Sequence, residues 1–153
     1  MRLLVQRVSS ASVTIQHKIT AQIRSGVVVF LGINHSDTPD ESNYLINKLI
    51  QLRLFNDQTG QMNHSLLDQK LDILVISQFT LYADCRKGRR PCFTAAAPST
   101  IAHHIYNDFI HQLVQQYPYC VKTGEFGAHM DVSLVNNGPV TLLLSRDDTS
   151  SHC

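Results

Sequence analysis

Gly26-Val27-Val28-Val29-Phe30-Leu31-Gly32-Ile33, followed after a short gap by Thr38-Pro39-Asp40-Glu41, is the stretch that decides the fold. The first segment is apolar without alternation, the pattern of a strand buried on both faces. The second is a helix start, with Thr at the N-cap, Pro in the first helical position and Glu three residues after the cap. Leu45, Leu49 and Leu52, with Ile46 and Ile50 beside them, then give the apolar stripe of a helix packed on a sheet. That helix is expected to run to about Leu52, before the turn Asn56-Asp57-Gln58-Thr59-Gly60.

Outward from this core the pattern is mixed. Arg2 to Val8, Ala11 to Ile15 and Ile19 to Ile23 are short strand-like runs separated by polar residues. Leu71 to Ile76 reads as a second buried strand that ends in Ser77-Gln78-Phe79-Thr80-Leu81. After a polar loop, an amphipathic helix is expected from about Ser99, with Ile101, Ile105, Phe109, Leu113 and Val114 on its buried side and Pro118 ending it. Two further strands, His129 to Val135 and Val140 to Leu144, are joined by Asn136-Asn137-Gly138-Pro139. Helices alternate with strands only in the middle, and no repeat or linker interrupts the chain. The expectation is an α/β protein of one domain, a mixed sheet with two main helices packed on it.

A chain of 153 residues is long enough to bury about two-thirds of its unfolded surface in one core. With 43% hydrophobic and 16% charged residues it is not a disordered chain. A formal net charge of +1 excludes a uniformly basic nucleic-acid binder but leaves room for a local basic patch. The start Met1-Arg2-Leu3-Leu4-Val5 resembles a signal peptide until Gln6 and Arg7 interrupt it. Val27 to Leu31 is far too short to span a bilayer. A soluble, cytoplasmic protein with no membrane partner is therefore expected. Cysteines 85, 92, 120 and 153 contain no C-x-x-C pair and are expected as reduced thiols. His104, Asp108 and His111 have helical spacing but no clear fourth ligand, so a solvated helix face is expected and no metal.

Three segments carry possible chemistry. Ser77-Gln78-Phe79-Thr80-Leu81 leaves a buried strand, where polar residues are commonly caps and turn formers. Read functionally, the same strand end presents N–H groups and hydroxyls around a substrate carbonyl, the donors that stabilise the oxyanion of acyl transfer. Asn137-Gly138-Pro139-Val140-Thr141 reads first as a turn. A Gly-Pro bond can also be cis, and glycine has no Cβ to keep a ligand from the backbone, so the pair can aim carbonyls at a small group. Arg86-Lys87-Gly88-Arg89-Arg90-Pro91 holds four of the thirteen basic residues. It is either a solvated loop or a contact for a phosphate backbone. No Ser/His/Asp order, P-loop or G-x-G-x-x-G motif is present.

With these segments the chain resembles the D-aminoacyl-tRNA deacylase family, also called D-tyrosyl-tRNA deacylase. The likeness spans about residues 1–145 and leaves 146–153 as an expected loose tail. It rests on Ser77-Gln78-Phe79-Thr80-Leu81 and on Asn136-Asn137-Gly138-Pro139-Val140-Thr141. Met62-Asn63-His64-Ser65, Gly88-Arg89-Arg90-Pro91 and Thr123-Gly124-Glu125-Phe126-Gly127-Ala128 add to it. The resemblance implies a partly barrel-like sheet and a hydrolase of D-aminoacyl-tRNA that uses no cofactor. Its partners would be the 3′ aminoacyl end of charged tRNA and a second copy of the chain, with no DNA. In that homodimer the Gly138-Pro139 bond would be cis and would enter the other subunit's pocket. Main-chain carbonyls there would tolerate a hydrogen on the substrate's α-carbon but clash with an L side chain, so glycyl-tRNA would also be accepted.

The same resemblance gives roles to single residues. Arg7 would orient the Gly138 and Pro139 carbonyls, Phe126 would stack on the terminal adenine, and Met130 would line the amino-acid pocket. Phe79 and Thr80 would supply donors near the ester carbonyl, Ser77 and Gln78 would shape the pocket, and Arg86, Lys87, Arg89 and Arg90 would meet the tRNA. Thr80 has no base beside it in sequence, so attack by water, helped by the 2′-hydroxyl of the terminal ribose, is favoured over a Thr80 nucleophile. Asn137, Cys92 and Cys85 stand where family members often carry Asp, Ser and Thr. A non-catalytic RNA-binding module and a general esterase for small acyl esters are the competing readings.

Overall fold

The computed structural model describes residues 1–146. Its longest strand pairs define the architecture. Strand β1 (Arg2–Ile15) is paired along one edge by β8 (Asp131–Ser145) and along the other by β2 (Lys18–Ile23) and β3 (Gly26–Gly32), all antiparallel. Strand β6 (Asp72–Ser77) adds to β3 in parallel, and β7 (Val121–Thr123) adds in parallel to β6. The sheet curls into a nearly closed, barrel-like form, with β2 approaching β6 and β7.

The continuous apolar run at 26–33 is explained by what lies on its two faces. Val27, Val29 and Leu31 point with Ile73 and Val75 to a core shared with the helices. Val28 points with Leu74 and Ile76 into the barrel interior, against Val8, Val13 and Ile23. Successive side chains of a strand alternate in direction, so burial on both sides removes the polar positions that a one-sided strand would show.

Helix α1 (Pro39–Gln51) starts where its sequence places it. Thr38 Oγ1 accepts from the Asp40 N–H at 3.3 Å, and Glu41 Oε2 accepts from the Thr38 N–H at 2.7 Å. Leu45, Ile46, Leu49 and Ile50 are buried against the sheet. A small hairpin of β4 (Phe55–Asn56) and β5 (Met62–His64) leads through the one-turn helix α2 (Leu66–Gln69) to β6. After β6 comes a 3-10 turn (Phe79–Tyr82), and α3 (Ser99–Gln116) packs beside α1.

Three expectations need correction. The runs 2–8 and 11–15 form one strand, because β8 pairs with both and carries the ladder through exposed Ser9 and Ser10. The expected strands 129–135 and 140–144 likewise merge into one, β8, which begins at Asp131 and not His129, with the Gly138-Pro139 pair held inside it. The buried stripe of α3 is Ala102, Tyr106, Phe109 and Leu113, whereas Ile101 and Val114 are about half exposed at 48% and 54%. A small residue and a phenol carry the inward face there, and a count of aliphatic residues rotates the helix wrongly.

Arg146, the last described residue, donates to the Asp40 carbonyl at 3.2 Å and stacks on the Tyr44 ring. The rest of the expected tail, 147–153, lies outside the described residues, as does Cys153. Cys85, Cys92 and Cys120 are free thiols. Among the described residues no helix is long and apolar enough to cross a membrane, and no three His, Cys, Asp or Glu side chains gather to hold a metal. His104 and Asp108 form an exposed pair 3.3 Å apart.

Two measurable consequences follow from this packing. A Cβ added at Gly26 would lie 1.9 Å from the Asp72 carbonyl oxygen, across the β3–β6 pairing. Gly26→Ala should lower stability by about 3 kcal/mol in urea unfolding. Burial lifts the Tyr106 phenol to about 12, and burial with nearby Asp72 lifts that of Tyr117. A free tyrosine titrates near about 10. The fold thus favours the neutral phenols, a contribution complete below pH about 10 and lost as the pH rises through about 12. Urea unfolding between these limits should show falling stability, and Tyr106→Phe should make the fall shallower.

Candidate active site

Strands β3 and β6 run in parallel, and a cleft opens beyond their C-terminal ends, where parallel strands place ligand sites. It encloses about 630 Å³. Leu31, Ile33, Ile76 and Ser77 form its floor, the start of α3 (Pro98, Ser99, Ala102) one wall, and residues 126–130 with Val132 the other. The walls are mainly apolar. His129 is the one ionisable side chain among the described residues that line it.

Ser77, Gln78 and Phe79 all reach the cleft. The Gln78 N–H continues the sheet by donating to the Leu31 carbonyl at 2.8 Å, after which the chain turns into the 3-10 helix. The first N–H that this turn satisfies is that of Leu81, 3.3 Å from the Gln78 carbonyl. The N–H groups of Phe79 and Thr80 come before it, in the position where a helical turn leaves its donors to water or a ligand. Phe79 is 57% exposed and packs edge-on against Phe93, with ring centres 5.0 Å apart. Thr80 is exposed and does not itself line the cleft, and its Oγ1 accepts a hydrogen bond from Gln78 Nε2.

Phe126 and Met130 line the opposite wall. The loop that carries them is tied to the sheet by the Gly124 N–H, which donates to the Val75 carbonyl at 2.9 Å. Met130 sulfur lies where a side chain on Gly124 would stand, 2.6 Å from that Cβ position.

Arg7 and the Gly138-Pro139 pair form a separate constellation. Gln6 pairs with Thr141 and Val8 with Asn136, so residues 137–140 bulge opposite the single residue Arg7. The Gly138-Pro139 peptide is cis, and Gly138 has φ +133°, a conformation that disfavours other residues. Arg7 is buried, and its guanidinium donates to the carbonyls of Asn137 (Nε, 2.9 Å) and Leu54 and to Asn56 Oδ1 (3.2 Å). It therefore grips the carbonyl one residue ahead of the pair that the resemblance assigns to it. A Cβ on Gly138 would meet Arg7 Nη2 at 2.9 Å.

The far side of the bulge is braced by Asn136 and Thr141, which the sequence signature includes without giving them a role, and by Gln6. Asn136 Oδ1 accepts from the Val140 N–H at 2.9 Å, and Asn136 Nδ2 donates to Thr141 Oγ1 at 2.8 Å. Gln6 Nε2 donates to the same hydroxyl at 3.1 Å. The Asn-x-Gly-Pro-x-Thr spacing is thus the reach of one amide across the bulge, a signal present in the sequence but readable only with this geometry. Gly138 and Pro139 are exposed and stand outside the cleft of their own chain.

The basic loop lies beside the cleft. Asp84 and Cys92 close its base with hydrogen bonds of 2.7 and 2.9 Å, and Phe93 and Ala96 on the returning chain enter the cleft wall. Arg86 folds back to make a two-point pair with Asp84 at 2.8 and 2.9 Å, and this holds the Asp84 carboxyl down at about 2. Lys87, Arg89 and Arg90 are exposed. The Cys92 thiol is shifted downward by its hydrogen bond with Thr94. Sequence reading also missed Phe93, Ser99 and His129 in the cleft, which reach it from loops and a helix start far apart in the chain.

Known proteins share both this sequence and this fold. The model of the D-Tyr-tRNA(Tyr) deacylase family matches residues 4–145. A D-aminoacyl-tRNA deacylase of Thermosipho melanesiensis is 51% identical over 94% of this chain and 96% of its own. One from Petrotoga mobilis is 53% identical with the same coverage. Among solved structures, the c-Myc DNA unwinding element binding protein superposes with a TM-score of 0.92 at 40% identity, covering 96% of this chain and 99% of that one. A probable eukaryotic D-amino acid tRNA deacylase shares the fold, with a TM-score of 0.84 at 17% identity over 94% of this chain and 97% of its own. The match runs through the cleft, the 3-10 turn and the braced bulge alike, and the chain belongs to the D-Tyr-tRNA(Tyr) deacylase family.

Proposed function

We propose that this protein hydrolyses the ester bond of D-aminoacyl-tRNA in the cytoplasm, releasing the D-amino acid and tRNA, and acts as a homodimer. The observation that carries the reading is the bulge at 137–140. It is held by Arg7 and Asn136 on both flanks, yet it is exposed and lies outside its own chain's cleft. Such a rigid main-chain projection suits insertion into a second copy's cleft. Among the described residues strand β8 is paired on one edge, and Val135, Leu142 and Leu143 are exposed along it, an edge suited to self-association. In a two-fold dimer the same surface on each subunit brings each bulge to the other's cleft.

In that arrangement Gly138 and Pro139 crowd the substrate's α-carbon. A hydrogen fits there and an L side chain does not, which makes D-amino acids and glycine the accepted substrates. Phe126 stacks on the terminal adenine, Met130 contacts the amino-acid side chain, and Lys87, Arg89 and Arg90, with Arg86, meet the tRNA backbone. The N–H groups of Phe79 and Thr80 stabilise the oxyanion as water adds to the ester carbonyl. The bond to the ribose oxygen then breaks, and the neighbouring 2′-hydroxyl assists the proton transfer. Thr80 is a poor nucleophile here, because the group bonded to its hydroxyl is the Gln78 amide, which can donate but cannot take up a proton.

Purified protein should hydrolyse D-tyrosyl-tRNA with a kcat/KM more than about a hundredfold above that for L-tyrosyl-tRNA. Equal binding of both without ester loss would establish the RNA-binding module instead, and cleavage of free aminoacyl esters at comparable rates the general esterase. Thr80→Ala should keep activity within about tenfold of wild type, and an acyl group trapped on Thr80 would overturn the attack by water. Asn136→Ala removes two of the bonds that brace the bulge. It should narrow the D-over-L ratio by about tenfold, the equivalent of roughly one hydrogen bond, with little change in D-substrate turnover.

A further inference from the structure

We infer that His103 is a positioning residue for the terminal base of the tRNA: its imidazole backs the Phe126 ring from the side turned away from the cleft, so that Phe126 meets the adenine already oriented. The inference rests on the proposed role of Phe126 and adds a residue that neither composition nor motif singles out.

Two rings of α3 hold Phe126. His103 stacks on it nearly parallel, with ring centres 4.7 Å apart and planes 23° apart. Tyr106 approaches at 5.5 Å with its plane tilted by 51°. The two are three residues apart on the helix and so share one face of it. Phe126 borders the cleft, whereas His103 and Tyr106 do not; the helix residue that reaches the cleft there is Ala102. Neither ring that holds Phe126 enters the cleft, whereas Phe126 itself borders it.

Tyr106 is part of the buried core, and its hydroxyl donates to the Val75 carbonyl at 3.3 Å. It fixes the root of the stack, and loss of its ring would disturb the fold. His103 is exposed, so its contact with Phe126 is the part of the stack that can be removed alone. The backbone ties of the loop, Gly124 to Val75 at 2.9 Å and Ala128 to Glu125 at 3.3 Å, do not restrain the Phe126 side chain. Without the imidazole the ring would sample several rotamers, and binding would have to immobilise it. The planarity of the backing group is what matters, and a phenyl ring would serve as well as an imidazole.

The test compares His103→Ala, His103→Phe and Phe126→Ala in the intact enzyme acting on D-tyrosyl-tRNA. His103→Ala should raise KM about three- to tenfold, leaving kcat within about twofold and the thermal midpoint unchanged. His103→Phe should restore KM. The inference is overturned if His103→Ala has wild-type KM while Phe126→Ala raises it, or if His103→Ala lowers kcat and thermal stability together. If Phe126→Ala itself leaves KM unchanged, the assignment of the adenine to Phe126 fails, and the role of His103 falls with it.

Discussion

The pairing of β1 with β8 over nearly their whole lengths is the constraint on which the rest of the structure depends. Among the described residues strand β1 pairs with β2, β3 and β8, so it fixes both the helix-covered half of the sheet and its barrel-like half. Its first half contributes Leu3 and Val5 to one core and its second half Ala11 and Val13 to the other. The strand changes which side it buries near Val8, Ser9 and Ser10, where the register with β8 also shifts. A ladder of this length holds its register despite the irregularity because pairs on both sides of it are anchored by buried side chains.

That irregularity is also where the bulge proposed to select the substrate is made. Four residues of β8 stand opposite Arg7 alone, and a bulge of this size would leave carbonyls and N–H groups without partners. Arg7 and Asn136 supply those partners from opposite flanks. The three acceptors of the Arg7 guanidinium are neutral oxygens, an arrangement that leaves a buried cation satisfied by hydrogen bonds instead of a carboxylate. A cation bonded to carbonyl oxygens holds the main chain directly. One side chain thereby couples the hairpin at Leu54–Asn56 to the bulge.

The cleft is built on a different economy. Its floor is apolar, its donors are main-chain N–H groups at the start of a 3-10 turn, and titratable groups are nearly missing from its lining. An ester in such a site meets fixed dipoles and little competing solvent, which favours stabilisation of developing charge over covalent catalysis by a side chain. The aromatic wall opposite, Phe126 set on Tyr106 and His103, suits an unpaired base. The two walls come from segments that meet only because β3 and β6 end at the same level of the sheet.

Local physics was legible from the residues. The capping pair Thr38 and Glu41, the doubly buried run at 26–33 and the strand ending at Ser77 each follow from nearest-neighbour chemistry and periodicity, and each stands where expected. The segments 77–81, 86–91 and 137–141 could be marked as chemical from their residue types and spacing, whereas 126–130 came to notice only through the family resemblance; 77–79 and 126–130 line the same cleft. What the sequence could not express was pairing between distant parts of the chain. The union of two runs into β1 depends on β8, more than a hundred residues away, and the true inward face of α3 depends on which side the sheet presents to it. The contacts of Arg7 with Leu54 and Asn137, and of His103 with Phe126, join residues that share no local pattern. Capping and alternation are decided within a few bonds, so sequence determines them. Register, bulge support and ring stacking are decided by which surfaces the folded chain brings together, and only the tertiary structure settles those.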